Sequence, residues 1–298
     1  MARVDIRRGR GSWRRRARLC LLGALPWVAG CPIPPPADGS QNDGTDAPGG
    51  ETQGYRPGVD TTWQWQLQPD ADGNINTSYG VDLYDLDLFE TPVELIQRLH
   101  ADGKRVIAYF SAGTFEDFRP DSAEFAAAEL GEPLEDFADE RWLDVRSSNV
   151  RTLMQARLDL AAEKGFDGVE PDNVDGYAND SGFDLSAADQ LDFNRFIAAQ
   201  AHARGLAVGL KNDLDQIPDL VDAFDFAVNE QCHEFDECDA LAAFIDAGKP
   251  VFNAEYLARY ANDAAARQEV CDDAAARRFQ TLILPLDLDD SFRFACGS

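Results

Sequence analysis

The chain has 298 residues, 44% of them hydrophobic and 10% aromatic, enough to bury the core of one large domain or two ordinary ones, which excludes a disordered protein. Its 27 Lys and Arg stand against 54 Asp and Glu, and the net charge of -27 excludes nucleic acid as a partner, because a phosphate backbone would be repelled. A cationic ligand would be drawn in instead.

The charge is unevenly placed. Residues 1–30 hold eight Arg and one acid, Asp5, so the remainder carries about -34. The Arg-rich start, the apolar run Leu19–Gly30 and the small residues that close it have the layout of a secretory signal. The run is too short to span a bilayer permanently. Its end, Val28-Ala29-Gly30-Cys31, resembles the bacterial lipobox, which implies lipidation of Cys31 and anchoring at the cell envelope or surface. The pairs Arg7-Arg8 and Arg14-Arg15 are a weak hint of twin-arginine export. Residues 31–60 are a Pro, Gly and Asp mixture with almost nothing to bury, and read as a tether.

From Thr61 onward, short apolar runs alternate with segments of helical period, the pattern of a parallel sheet with crossover helices. Strands are predicted at Thr62–Leu67, Val81–Tyr84, Val106–Ser111, Gly168–Pro171, Leu206–Lys211, Phe224–Asn229, Pro250–Glu255 and Thr281–Leu286. Helices are predicted at Pro92–Asp102, Asn149–Lys164, Ser186–Arg204, Cys238–Ala247 and Asn262–Phe279, several of them closed by Gly directly before a strand. Eight strands in residues 61–298 match a (β/α)8 TIM-type barrel. An open doubly wound sheet is the alternative, but no glycine-rich dinucleotide fingerprint follows any strand.

Four cysteines lie in the domain, Cys232, Cys238, Cys271 and Cys296, and three pairings are possible. Local closure favours Cys232 with Cys238 and Cys271 with Cys296. The alternative, a metal site, lacks a paired C-x-x-C spacing, and the three His of the chain (His100, His202, His233) are assigned no chemistry. No metal is expected.

In a barrel the chemistry lies at the carboxyl ends of the strands. There the sequence places Glu170 and Asp172, Lys211 and Asn212, Asn229 and Glu230, and Asn253 and Glu255. Period two turns Glu170 and Asp172 the same way, toward the mouth if Val169 and Pro171 face the helices. Carboxylates without a nucleophilic Ser, Cys or His suggest glycoside hydrolysis, with one acid protonating the leaving oxygen and another serving as nucleophile or base. Asp172 and Glu230 are the candidate pair, Lys211 is expected to pair with one of these acids, and Trp63, Trp65, Tyr84, Tyr109 and Tyr177 are candidates to stack on sugar.

The stretches Trp63–Leu67, Val81–Asp87, Val106–Gly113, Trp142–Val145, Gly165–Tyr177 and Gly209–Asn212, in that order, resemble the catalytic domain of glycoside hydrolase family 114, the endo-α-1,4-polygalactosaminidases. Gly165–Tyr177 is the most specific of them. The resemblance implies a TIM-type barrel without cofactor that cleaves α-1,4-linked galactosamine polymers, with Asp172 and Glu230 in the places of two family acids. Glu170 departs from the family pattern, and at that position it would share or perturb the proton of Asp172. Glu170, Tyr109, Tyr177, Lys211, Asn212, Trp63, Asp82 and Glu255 are expected to contact substrate. The expected partner is a cationic polysaccharide, partly deacetylated galactosaminan, and the expected form is a monomer. A lipoprotein that binds such a glycan without cutting it is the alternative.

Overall fold

The computed structural model describes residues 54–297, apart from 135 and 136. The expected export signal, Cys31 and the tether as far as residue 53 lie outside the described residues. The tether was expected to reach residue 60, yet residues 54–60 are packed against the domain. Arg105 lies over the Tyr55 ring at 5.1 Å, Arg56 pairs with Asp225 at 2.6 Å, and Val59 is buried.

The strands in chain order are β1 (Trp63–Gln66), β2 (Leu83–Asp87), β3 (Arg105–Ser111), β4 (Thr114–Glu116), β5 (Leu130–Leu134), β6 (Phe137–Leu143), β7 (Gly168–Asp172), β8 (Ala207–Lys211), β9 (Phe226–Glu230), β10 (Val251–Glu255), β11 (Gln280–Ile283) and β12 (Phe294–Ala295). The helices are α1 (Val93–Ala101), α2 (Ser148–Lys164), α3 (Ala187–Ala203), α4 (Ile217–Leu220), α5 (Cys232–Phe235), α6 (Ala242–Asp246), α7 (Ala258–Asn262) and α8 (Ala264–Arg277).

Among the described residues, eight strands pair in parallel in the order β1-β2-β3-β7-β8-β9-β10-β11, and the fold is a (β/α)8 TIM-type barrel. Trp63 Nε1 donates to the Gln280 carbonyl at 2.8 Å and links the first strand to the last. The short β12 runs antiparallel on β11. Side chains alternate as the pleat requires. Trp63, Trp65, Leu83, Ile107, Phe226 and Phe252 fill the interior, while Tyr84, Leu86, Val106, Val169 and Val208 pack outward with helix residues such as Leu99, Leu158 and Phe193.

Local signals explain the helix ends. Ser147 caps α2, accepting from the Asn149 and Val150 amides, and Gly165 ends it at φ 88, a left-handed position that suits glycine. The helix expected over Asn262–Phe279 is α8, which begins at Ala264 because Asp263 caps it through the Ala265 amide at 2.9 Å; the short α7 just before it was not expected. The helix expected at Cys238–Ala247 starts as a 3-10 turn and becomes α-helical only at Ala242. Strand β2 starts and ends later than expected, which carries it to Asp87 at the carboxyl face. The sequence did not foresee the antiparallel sheet β4-β6-β5, inserted between β3 and α2. Both cysteine pairs are joined as local closure suggested, Cys232 to Cys238 and Cys271 to Cys296.

Candidate active site

Inward alternation brings Glu170 and Asp172 of β7, Lys211 of β8 and Glu230 of β9 together at the carboxyl mouth. One buried cation joins them: Lys211 Nζ lies 3.0 Å from Asp172 Oδ1, 3.1 Å from Glu170 Oε1 and 3.3 Å from Glu230 Oε2. The Lys211 side chain is 2% exposed and Glu170 is fully enclosed, whereas Asp172 and Glu230 keep 16% and 27% of their side chains open to solvent. Two distances from one nitrogen keep Asp172 Oδ1 and Glu230 Oε2 closer than roughly 6.5 Å, where the separations typical of inverting pairs begin.

Each of these two acids has its own donors. Asp172 accepts from Tyr109 Oη at 2.9 Å and from the Asn173 amide at 2.7 Å. The turn that aims it is tight, since Ala112 and Gly113 donate to the Asp172 carbonyl and a Cβ on Gly113 would collide with the Asn173 carbonyl. Glu230 accepts from Tyr256 Oη at 2.6 Å and from Asn212 Nδ2 at 3.4 Å. Asn212 Oδ1 in turn holds the Glu230 amide at 3.0 Å.

The electrostatics follow from burial and crowding. Burial alone would lower Lys211, but Asp172, Glu170 and Glu230 outweigh it and hold the ammonium well above the ordinary lysine range. Burial pushes Glu170 up to about 7 against the pull of Lys211. Asp85, fully buried on β2, is driven well above the carboxylate range by burial and then by the Glu170 charge, so it keeps its proton beside Glu170. Burial likewise raises the Tyr109 and Tyr256 phenols, with the charges of Asp172 and Glu230 adding to it, so both hydroxyls remain donors. Glu140, on the inserted β6, is pushed up to about 8 by burial and then by the Glu116 charge, and accepts from Thr114 Oγ1 at 2.9 Å.

Not every expected contact is at the mouth. Glu170 is sealed beneath Lys211 and shares its proton balance with Asp85, so it cannot reach a substrate. Trp63 lies in the apolar barrel interior, stacked on Trp65 at 5.7 Å, and Trp65 is the indole beneath the cation, 4.8 Å from Lys211 Nζ. Tyr84 points outward to the helix layer. Asp82 precedes β2, at the amino end of the barrel, where it binds Thr62. Glu255 lies on the outward face of β10 and accepts the His233 amide at 2.9 Å; burial pushes it up to about 7. Tyr177 sits in the turn after β7 beside Asp213, and burial together with that carboxylate pushes its phenol up to about 12. Three residues of the cluster went unpredicted: Asp85, Glu140 and Tyr256. Tyr256 was within reach of the strand-end rule that selected Glu230, one position beyond β10.

Cys232, His233 and Cys238 place potential metal-binding atoms within 4.8 Å of one another, but both sulfurs are consumed in a disulfide and offer no thiolate. Among the described residues no helix is long and apolar enough to cross a membrane.

Two carboxylates at the mouth of a barrel, bridged by a lysine and steered by phenols, form the equipment of a two-carboxylate glycosidase. The sequence profile of glycoside hydrolase family GH114 matches residues 44–298. Among solved structures, Ega3 from Aspergillus fumigatus in complex with galactosamine is similar at 41% identity and a TM-score of 0.76, over 81% of this chain and 97% of that one. The glycoside hydrolase domain of PelA from Pseudomonas aeruginosa shares the fold at 16% identity and a TM-score of 0.58, over 77% of this chain and 96% of that one. No match was found among curated proteins. On the extent of these matches, the chain belongs to glycoside hydrolase family GH114 and is a glycoside hydrolase.

Proposed function

We propose that the protein is an exported, lipid-anchored endo-hydrolase of α-1,4-linked galactosamine polymers that works with retention of configuration. The observation that carries the reading is the Lys211 bridge, which sets Asp172 and Glu230 side by side at one mouth. Asp172, the less exposed acid, is the nucleophile. Glu230, the more exposed, is the acid and then the base.

In the first step Glu230 gives its proton to the glycosidic oxygen as Asp172 attacks the anomeric carbon, which releases one chain end and leaves a glycosyl ester. In the second, Glu230 takes a proton from water, the hydroxide adds to the same carbon, and Asp172 departs. The likeness to Ega3, solved with galactosamine, supports the sugar, and so does charge: a galactosamine polymer is a polycation, and the chain after residue 30 carries about -34. The lipobox-like Val28-Ala29-Gly30-Cys31 supports export and anchoring through Cys31.

The test is hydrolysis of partly deacetylated galactosaminan by wild type, Asp172→Asn and Glu230→Gln. Each variant should lose a factor of about 10² to 10⁴ in kcat, and the first-formed product should keep the substrate anomer. Undiminished turnover in both variants overturns the assignment.

A further inference from the structure

Beyond Tyr256, on the side of the mouth away from Asp172, a groove of about 460 Å³ opens over the carboxyl ends of β10 and β11. That volume lies within the range of small-ligand sites, roughly 300–1,000 Å³. Its walls are Tyr256, Pro285, Leu286, Phe292 and Phe294, with Asn262 at the edge. Leu286 is 58% exposed and, with Pro285, Phe292 and Phe294, makes the wall an apolar one open to solvent. The groove adjoins the reaction centre through Tyr256, which lines the groove and whose hydroxyl donates to Glu230 at 2.6 Å.

Its chemistry is the opposite of the acidic mouth. None of its lining residues is a carboxylate, and the Arg267 guanidinium lies 4.0 Å from the Phe294 ring centroid, pinned by the Tyr260 and Ala261 carbonyls. An ammonium there would lose water without a carboxylate in the groove wall to pair with. An acetamido group fits instead. Its methyl would lie on Leu286 and Phe292, and its N–H would meet Asn262 Oδ1, since Asn262 Nδ2 is already given to the Ala258 carbonyl at 2.8 Å.

We propose that this groove is a subsite for an N-acetylated hexosamine, so that the enzyme cuts where a neutral, acetylated sugar lies on the Glu230 side of the bond. The inference rests on the polygalactosaminidase reading above.

The experiment compares wild type and Leu286→Glu on fully deacetylated and half N-acetylated galactosaminan of equal length, with kcat/KM and the placement of acetyl groups in the products read by mass spectrometry. Wild type should favour the acetylated polymer by about tenfold, the scale of a methyl-sized pocket contact, and every product should carry acetyl at one fixed distance from the same new end. Leu286→Glu should scatter that placement and raise kcat/KM on the deacetylated polymer. Random acetyl placement by wild type, or fixed placement retained by the variant, overturns the subsite while leaving the hydrolase reading intact. Failure to cut either polymer overturns both.

Discussion

Replacing Lys211 by Met removes the one cation shared by three carboxylates and keeps most of the side-chain volume. At 3.1 Å, with an effective dielectric constant of about 20, a single unit pair is worth roughly 5 kcal/mol before desolvation. The cost of burying the ammonium offsets much of that attraction, but the variant leaves Glu170 enclosed with no partner charge, and breaking a buried pair from one side costs about 3–5 kcal/mol. Glu170 can escape only by taking a proton. Its folded pKa, about 7, is already above the ordinary 4.5, so its contribution to stability is fully present below 4.5 and is lost as pH rises through 7. Without Lys211 that folded value climbs further, and the loss extends to higher pH. The penalty of Lys211→Met should therefore be about 3 kcal/mol or more at pH 8 and about 1 kcal/mol at pH 5. Urea unfolding followed by far-ultraviolet circular dichroism at both pH values measures it. An equal penalty at the two, or a larger one at pH 5, refutes the placement of a charged Glu170 beneath the cation.

Two further changes probe separate parts of the molecule. Tyr256→Phe deletes only the hydroxyl that meets Glu230 Oε1 at 2.6 Å; steady-state kinetics should show kcat reduced about 10- to 100-fold, matching a hydrogen bond to a charged group of about 1.5–3 kcal/mol, with little change in thermal midpoint. The two disulfides close loops of unequal length, with sequence separations of 25 and 6. Loop entropy assigns about 3.5 kcal/mol to Cys271–Cys296 and about 2 kcal/mol to Cys232–Cys238, so urea unfolding of the two double Cys→Ala variants should rank them in that order.

The barrel was legible because each β-α unit carries its own signals: an apolar run, a capped amphipathic segment, and a Gly before the next strand. The pair Asp172 and Glu230 was legible for a related reason, since a carboxylate that ends an apolar strand has few other reasons to be there. What failed was facing. Glu255 and Asp82 also adjoin apolar strands, but one lies on the outward pleat of β10 and the other at the amino end of β2. Asp82 was misplaced because β2 begins two residues later than expected, which leaves it before the strand, and Glu255 because an apolar run does not fix the phase of the pleat, where a one-residue change turns every side chain to the other face. Glu140 was hidden for another reason. It reaches the mouth on an inserted antiparallel strand that no β-α periodicity announces.

The barrel interior explains why one fold can hold both the acid pair and its buried supports. From the amino end upward the inward layers change from Trp63, Leu83, Ile107, Phe226 and Phe252, all apolar, through Trp65, Asp85 and Glu170, to Asp172, Lys211 and Glu230 at the mouth. An apolar floor raises the cost of charge in the layer above it, which is why Asp85 keeps its proton and Glu170 sits near 7. That middle layer then fixes Lys211 from below, and Lys211 fixes both mouth carboxylates from behind while leaving their outer sides to the substrate. A change such as Asp85→Asn would keep a neutral hydrogen-bond donor in that middle layer and leave the mouth untouched in contact terms, while taking away the second titratable group beside Glu170.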